Sequence, residues 1–494
     1  MGVGVKKTVF IKNAIILTAT SLILRFAGII FKVWLAALIG SEGIGLYQLI
    51  FSIYVLVSTF ATSGISTAVT RLVAEEIALC NKDGAEKVFK RAIQLTLILA
   101  LITVGIVYFG AEFIAKHILG DIRAVESLKV LPLSLPFMGM SSCFRGYFIA
   151  RRNVTPNAVT QLLEQAFRIG LIFVFVKKFI ENGISSACKG VMLGDVISET
   201  ASCLILYLVF IKDKKKLNLK AINNVKSPIT SRILHISVPI TSGRYLNSLL
   251  RTGENILVPK NLAKYPHSTD NALSQFGMIK GMALPILFFP SAILNSVSTL
   301  LIPEISEAVA KKQNNIVKTA THNILKLTAV ISFIAGAIFF VCGEEIGILI
   351  YKEKDVGFLI KSLSPIVPLM YIDSISDGIL KGLDQQVFTF RTAVSDSIIR
   401  IIMIISLLPL FGMKGFIGIM YFSNFLTCFL NVGRLLKVSK AKIHIGKEIL
   451  IPLCFAFIIC TVIKFFLLTL KINNILVYII FLSIISLTLY TIAI

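Results

Sequence analysis

Long apolar runs, each about long enough to cross a bilayer, alternate with short polar segments along almost the whole chain. A transmembrane helix needs roughly 20 predominantly apolar residues, so the pattern predicts about fourteen such helices and an all-α integral membrane protein. The predicted spans lie near residues 10–39, 46–70, 92–111, 128–150, 157–177, 187–211, 233–258, 273–302, 324–343, 362–382, 392–412, 415–436, 449–470 and 474–494.

An internal repeat underlies this pattern. The stretch 275–308, which contains two prolines, corresponds to the stretch that begins near Gly45, and Gly277 falls on Gly45 at an offset of 232 residues. The same offset places Pro136 on Pro368. An offset that crosses six spans leaves both copies in the same orientation, as in the parallel repeats of some transporters. We therefore expect two six-helix lobes followed by two additional helices.

The distribution of basic residues predicts the domain boundaries and the topology. The longest polar connection, 212–232, is basic and follows the sixth predicted span. We expect an N-terminal lobe at 1–211, this segment as a cytoplasmic linker, a C-terminal lobe at 233–447, and two further transmembrane helices at 448–494. Lys and Arg cluster in alternate connections, and the positive-inside rule places those connections in the cytoplasm. The prediction is a multi-pass protein of the cytoplasmic membrane with both termini in the cytoplasm.

Composition excludes several classes of function. The 494 residues are 56% hydrophobic and only 15% charged, whereas soluble domains are about 25% charged. The net charge of +24 arises from residues between apolar spans, so it indicates topology and contact with anionic lipids rather than nucleic acid. The cysteines and histidines lack metal-ligand spacing, and no P-loop motif occurs. We expect no metal, no cofactor and no enzymatic activity.

Five of the cations within predicted spans are candidates for a substrate site, because a charge there costs several kcal/mol unless it faces a cavity or a partner. The first span carries Arg25 and Lys32, the seventh carries Arg244 and Arg251, and Lys280 begins the eighth. A spacing of seven residues places each pair on one helix face. Pairing between helices and snorkelling to the head groups are alternatives. We favour a shared cationic cavity for an anionic substrate, because arginine can bind phosphate through two parallel hydrogen bonds.

Two further pairs of charges occupy matching positions of the repeat. Glu164 and Arg168 in the first copy correspond to Asp396 and Arg400 in the second, and both pairs have i,i+4 spacing. Each pair can neutralise itself on one helix face. We interpret them as structural ion pairs. Arg145 lies within two turns of the basic residues that follow its span, so its side chain can snorkel to the cytoplasm.

Carboxylates lie on one face of two other spans. Asp373, Asp377 and Lys381 follow one another at four-residue intervals in the tenth span, and Asp195 and Glu199 do so in the sixth. Asp373 and Asp377 can hold Na⁺ or a proton for coupled transport, while pairing of Asp377 with Lys381 is the alternative. We expect Asp195 and Glu199 to face the polar interior of the first lobe.

Two segments resemble a known family. LRFAGIIFKVWLAALIGSEGIGLYQLIF and GMALPILFFPSAILNSVSTLLIPEISEA are similar to the stage V sporulation protein B family, in the polysaccharide-transport branch of the MOP (MATE-like) superfamily and related to the lipid II flippase MurJ. The resemblance covers nearly the whole chain. It implies a V-shaped fold of two lobes around a cationic cavity. It also implies outward flipping of an undecaprenyl-pyrophosphate-linked saccharide, such as a peptidoglycan precursor for the spore cortex.

The resemblance also bears on individual residues. Arg25 matches an arginine in the first span of the flippases, whereas Phe31-Lys32 replaces the Arg-Asp that flippases tend to have. The last two spans resemble the extra pair of helices that is thought to hold the lipid tail.

Other functions remain as alternatives to a flippase. A multidrug antiporter of the MATE type should favour carboxylates in its cavity, and an O-antigen-like exporter would carry a different saccharide. A membrane enzyme needs a sizeable polar domain or an acidic metal motif, and a scaffold would recruit cell-wall enzymes. For the flippase, the expected partners are the lipid-linked saccharide and membrane lipids, with cell-wall synthesis enzymes as further candidates and Na⁺ or H⁺ as a candidate coupling ion.

Overall fold

The computed structural model describes residues 3–62, 64–79, 81–215, 228–266, 269–292, 294 and 305–469, together with five positions between 483 and 490. All regular structure in these residues is helical. The principal helices are α1 (Val3–Thr62), α2 (Ile65–Ala78), α3 (Lys82–Phe113), α4 (Val125–Val130), α5 (Leu135–Ala150), α6 (Thr155–Phe179), α7 (Ile184–Lys215), α8 (Ile229–Leu262), α9 (Thr269–Gly277), α10 (Leu284–Phe288), α11 (Asn314–Tyr351), α12 (Lys354–Leu363), α13 (Val367–Gly382), α14 (Gln386–Ser439) and α15 (Ile451–Thr469).

The chain forms two compact units. The first unit comprises residues 1–27 and 46–256, and the second comprises residues 28–45 and 257–494. Most of α8 therefore belongs to the first unit, while the middle of α1 belongs to the second. The lobes predicted from the sequence follow the internal repeat rather than these contacts, and that division stays a prediction.

α1 and α14 are each interrupted by a glycine with non-helical backbone angles, so each consists of two consecutive helices. The 60 residues of α1 and the 54 residues of α14 correspond to about 90 and 80 Å of helix, against a hydrocarbon core of about 30 Å. Gly40 has a φ of 72° and Gly412 a φ of 54°, a region that favours glycine. Glycine at 412 is also required by space, because a Cβ there would lie 2.8 Å from the ring of Tyr265.

Eight helical segments of the described chain are long and apolar enough to cross a membrane. One of them, Ile15–Ala78, contains the first two predicted spans, and another, Gln386–Ser439, contains the eleventh and twelfth. The protein is therefore an all-helical, multi-pass membrane protein. The last predicted span, 474–494, lies largely outside the described residues.

The core of the first unit lies between α2, α3, α5 and α7, which contribute buried apolar side chains. Phe89 stacks on Phe210 with ring centroids 4.6 Å apart, and Phe144 lies 5.5 Å from Phe89. Gly146 lets α5 approach α2 closely, because a Cβ there would lie 2.7 Å from the carbonyl oxygen of Ser66. Aromatic side chains bury a large apolar area, so this core holds α2 against α3 and α5.

The proline-containing stretch forms an interrupted helix in the second unit. α9 continues into a π-helical turn at Met278–Ala283, and α10 follows with Pro285 in its first turn. Pro290 lies in the turn that comes next. Residues 293 and 295–304 of this stretch lie outside the described residues.

Two buried tyrosines satisfy carbonyl groups at this interruption. Tyr351 donates its hydroxyl hydrogen to the carbonyl oxygen of Met282 at 3.3 Å, and Tyr371 donates to that of Leu287 at 2.5 Å. An interrupted helix in an apolar environment needs such partners from neighbouring protein. Neighbouring helices therefore supply partners for two carbonyl groups at this interruption.

Candidate functional site

The first unit contains a groove of about 680 Å³ between the second halves of α1 and α8. Seven of its lining side chains carry hydroxyl groups, three carry amides, two are arginines and two are apolar. Neither Asp nor Glu occurs among these lining residues. They are Gln48, Phe51, Ser52, Val55, Thr59, Thr62, Ser66, Ser142, Arg244, Asn247, Ser248, Arg251, Thr252 and Asn255.

Hydrogen bonds to Ser52 fix α8 against α1 at the base of the groove. Thr252 donates its hydroxyl hydrogen to the carbonyl oxygen of Ser52 at 3.0 Å, and Asn255 donates from Nδ2 to the Ser52 hydroxyl at 3.0 Å. The Ser52 hydroxyl in turn donates to the carbonyl oxygen of Gln48 at 2.8 Å. Ser52 and Thr252 are buried, so these bonds provide the partners that buried polar groups require.

A close approach at Gly64 brings the first half of α8 onto the turn between α1 and α2. Gly64 has a φ of 78°, and a Cβ there would lie 2.4 Å from the carbonyl oxygen of Ser237 and 2.5 Å from the hydroxyl of Thr241. Nearby, the rings of Phe60 and Tyr245 meet edge to face at 5.8 Å. Only glycine combines this backbone conformation with this spacing. The position of α8, and with it the groove, depends on this residue.

Arg244 and Arg251 present unpaired charge to the groove. Both side chains are exposed, and within the described part of the chain neither has an acidic partner or a hydrogen bond. Seven residues separate them, which is about 10.5 Å along the helix axis. A guanidinium group binds phosphate or carboxylate with two parallel hydrogen bonds. The hydroxyl and amide groups between them can donate and accept hydrogen bonds, as a saccharide requires.

The structure brings together two of the five predicted substrate-binding cations. Arg244 and Arg251 line one groove, in agreement with their spacing. Arg25 belongs to the same unit and is exposed, but it is not among the lining residues of the groove. Lys32 and Lys280 belong to the second unit. A cavity shared by all five stays a prediction.

The carboxylates of α13, predicted as a candidate cation site, both have protein partners in the second unit. Asp377 forms an ion pair with Lys381 at 2.5 Å, and Asp373 accepts a hydrogen bond from Asn431 Nδ2 at 2.8 Å. Within the described residues, no group of three or more His, Cys, Asp or Glu side chains is placed to hold a metal. The Asp377–Lys381 ion pair is the pairing that the four-residue spacing favours. Coupling to a cation at this position remains a prediction.

In the first unit, the Glu164–Arg168 pair belongs to a larger cluster. Arg168 contacts Glu164 at 3.0 Å, Asp195 at 2.7 Å and Glu199 at 3.3 Å. All three carboxylates are buried. One guanidinium group therefore links α6 to α7 through Asp195 and Glu199, and it also contacts Glu164 on its own helix.

A second arginine completes this cluster from α5. Arg145 contacts Glu164 at 2.6 Å, and Ser202 donates a hydrogen bond to Glu164 at 2.9 Å. The expectation that Arg145 snorkels to the cytoplasm is therefore wrong. The reason is that Glu164, buried on the neighbouring helix, offers it a charged partner. The sequence shows only that both spans carry a charged residue, and it does not show that the two residues meet.

The matching pair in the second unit has a serine as a further partner. Asp396 and Arg400 form the expected i,i+4 ion pair on α14, and Ser423 donates a hydrogen bond to Asp396 at 2.6 Å. The predicted role of both pairs in holding the fold together agrees with these contacts but is not tested by them.

Sequence comparison places this chain near proteins of polysaccharide biosynthesis. Residues 10–309 match the model of a family described as "Polysaccharide biosynthesis protein". Stage V sporulation protein B of Bacillus subtilis (strain 168) is 30% identical over 416 residues, which cover 83% of this chain and 80% of that relative.

Comparison with solved structures identifies the fold. Lipid II flippase MurJ in an inward closed conformation matches with a TM-score of 0.72 at 18% identity, over 97% of this chain and 98% of that chain. An inward-facing MATE family multidrug resistance transporter of the MOP superfamily matches with a TM-score of 0.65 at 15% identity, over 87% and 100%. At these identities the likeness establishes a MOP-type fold.

Proposed function

The chain belongs to the polysaccharide biosynthesis protein family, and from this premise we propose that it is a flippase. Its substrate is a saccharide linked through pyrophosphate to an undecaprenyl lipid, and it moves that substrate outward across the cytoplasmic membrane by alternating access. A peptidoglycan precursor for the spore cortex is the saccharide that the relationship to stage V sporulation protein B supports.

One observation carries this proposal: the groove combines two unpaired arginines with ten hydroxyl and amide side chains. The arginines provide charge for a phosphate group, and the uncharged side chains provide hydrogen bonds for a sugar. Burying an anion without a compensating charge is prohibitively costly, so a carrier for such a lipid needs cations along its path. Arg25, Lys32 and Lys280 are proposed as further groups on that path.

The groove gives no such support to the multidrug alternative. A site for cationic drugs needs carboxylates, and none occurs among the described lining residues. Export of another lipid-linked saccharide, of the O-antigen type, uses the same groups and remains the second candidate. Cell-wall synthesis enzymes are proposed as partners only because they would use the exported product.

The proposed architecture has fourteen transmembrane helices, arranged as two repeats and two additional helices. Both termini and the 212–232 connection lie in the cytoplasm. With the cell interior negative, outward movement of each net negative charge is favoured by about 2.3 kcal/mol per 100 mV. The membrane potential can therefore help drive export, and Asp373 and Asp377 are proposed as a site for a coupling Na⁺ or proton.

A reconstituted transport assay tests the proposal. Purified protein in liposomes should move a fluorescent saccharide linked to lipid pyrophosphate between leaflets, measured as the fraction that an external quencher can reach. The same lipid-linked saccharide without phosphate is the matched control and should stay in its leaflet. Movement of the pyrophosphate lipid no faster than in protein-free liposomes would contradict the proposal, and uptake of a cationic dye instead would support the multidrug alternative.

A further inference from the structure

The buried charge cluster of the first unit contains more carboxylates than cations. Glu164, Asp195 and Glu199 contribute three negative charges, while Arg145 and Arg168 contribute two positive charges. With every group ionised, the cluster has a net charge of minus one. These carboxylates are only 5–8% exposed, and an uncompensated charge in such surroundings is costly.

Glu199 is the carboxylate with the poorest set of partners. Glu164 accepts hydrogen bonds from two arginines and a serine, and Asp195 lies 2.7 Å from Arg168. Glu199 receives one contact, from Arg168 at 3.3 Å, and its buried Oε2 has no hydrogen-bond donor. The Glu164 and Glu199 carboxyl groups both contact Nη2 of Arg168. Two ionised carboxylates cannot donate hydrogen bonds to one another, so a hydrogen between them has to come from a bound proton.

We propose that Glu199 is a proton-binding site, at which one proton bonds Oε2 and is shared with Glu164. The bound proton makes the cluster neutral and gives the orphaned oxygen a partner. A metal ion is a poorer match, because the described residues contain no group of three or more carboxylate, cysteine or histidine side chains placed to hold one. The site differs from the Asp373–Asp377 pair, which lies in the second unit.

The titratable and charged groups around Glu199 come from four helices. They are Arg145 on α5, Glu164 and Arg168 on α6, Asp195 and Cys203 on α7, and Tyr54 on α1. Tyr54 is buried and interacts electrostatically with Glu199 and Asp195. Loss of the proton adds a negative charge beside Tyr54.

Tyr54 connects the proton site to the groove through α1. Ser52 and Val55, on the same turn of α1, line the groove. A charge change beside Tyr54 therefore acts on the helix that carries one wall of the groove. This link to transport rests on the proposed function, whereas the proton site itself does not.

Infrared spectroscopy of the protein in liposomes, without substrate, tests the site directly. With ¹³C-labelled glutamate, the wild-type protein at neutral pH should show the carbonyl stretch of a protonated glutamic acid. Glu199→Gln should remove that band. Glu126→Gln is the matched control and should leave the band unchanged, because hydrogen bonding from Lys189 and its charge hold the pKa of the exposed Glu126 below its usual value.

Two outcomes would overturn the proton site: absence of the band in the wild-type protein, or its persistence at full intensity in Glu199→Gln. The first needs no variant, so it holds even if Glu199→Gln fails to fold. Arg244→Gln should retain the band while losing affinity for the lipid pyrophosphate. A normal band in a protein that moves no lipid-linked saccharide would contradict the proposed function and leave the proton site supported.

Discussion

The arginines of the first unit fall into two chemically distinct sets. Arg145 and Arg168 are in contact with buried carboxylates, so their charge is already compensated. Arg244 and Arg251 have no such partner within the described residues and project into a groove lined by polar, uncharged groups. An arginine that is compensated by a carboxylate stabilises helix packing, whereas an uncompensated one attracts an external anion. The presence or absence of a carboxylate partner distinguishes these two roles, whereas depth in the membrane does not.

The unpaired arginines lead to a prediction about affinity. Arg244→Gln and Arg251→Gln should each weaken binding of a lipid pyrophosphate, because each removes charged hydrogen bonds worth about 1.5–3 kcal/mol, or about 10- to 100-fold in Kd. Arg→Lys should retain part of the affinity, because it keeps the charge and loses the two-point contact. Binding can be measured by fluorescence titration of purified protein.

Arg71→Gln is the control for these variants, because Arg71 is an exposed arginine paired with Glu75 outside the groove. It should bind like the wild-type protein. Unchanged affinity in both groove variants would show that the groove does not bind the anionic head.

A second residue-scale prediction concerns Gly64. Gly64→Ala should destabilise the protein, because a left-handed conformation costs a non-glycine residue about 1–2 kcal/mol and the added Cβ would press on α8. Gly105→Ala is the control, since a Cβ there meets no atom within 4 Å. The free, buried Cys143 and Cys203 allow unfolding to be followed with a thiol-reactive dye. Equal melting temperatures for the two variants would contradict the close approach of α8 to the α1–α2 turn.

At the scale of elements, α6 and α7 are held together by charge as well as by apolar packing. The two helices pack against each other, and three acidic side chains converge on Arg168 between them. Buried ion pairs give little net stability compared with apolar contacts, but breaking one is strongly destabilising. Their partners are therefore not interchangeable, even where the total charge is conserved.

A charge swap tests this point. In the double variant Glu164→Arg, Arg168→Glu, the new arginine would face Arg145 and the new glutamate would face Asp195 and Glu199. We expect a large loss of folded yield by size-exclusion chromatography.

The same swap in the second unit, Asp396→Arg with Arg400→Glu, is the matched control and should be better tolerated. Asp396 of that pair accepts a hydrogen bond from the uncharged Ser423. Equal yields from the two swaps would mean that the extra carboxylates of the first unit do not constrain the pair.

Helices were predictable where a hydrophobic run ended in polar residues on both sides. The spans predicted at 157–177 and 187–211 correspond to Thr155–Phe179 and Ile184–Lys215. The spacing of Arg244 and Arg251 also predicted correctly that they share a face, because helix periodicity is a local property.

The partners across helices were not predictable from the same patterns. That Ser52 bonds to Thr252, or that Arg145 meets Glu164, depends on which helices pack together. Serine and threonine give little indication of this, because most of them bond within their own helix. The two arginines of the groove could therefore be predicted from the sequence, whereas the hydroxyl groups that line it could not.

For the whole molecule, the two helices that form the groove come from distant parts of the chain. The second half of α1 and most of α8 belong to one compact unit, although the basic connection 212–232 lies between them in sequence. All of its described lining residues belong to that unit.

The proposed topology gives a prediction at this scale. A cysteine introduced at Ser41 should react with a membrane-impermeant maleimide added to intact cells, because this connection carries little charge and is predicted to be external. A cysteine at Asn218 in the basic connection should react only after the membrane is opened. External labelling at Asn218 would contradict the fourteen-span topology.

The hydroxyl lining of the groove has a consequence for selectivity. Five of the seven hydroxyl groups already donate to backbone carbonyl oxygens, so they offer a ligand mainly their acceptor lone pairs. Such a surface can match equatorial and axial sugar hydroxyls alike, whereas the guanidinium groups demand an anion. The groove should thus select ligands by their negative charge and discriminate little between sugar stereoisomers. Lipids that share an anionic head but differ in their sugar epimers should compete for it on nearly equal terms.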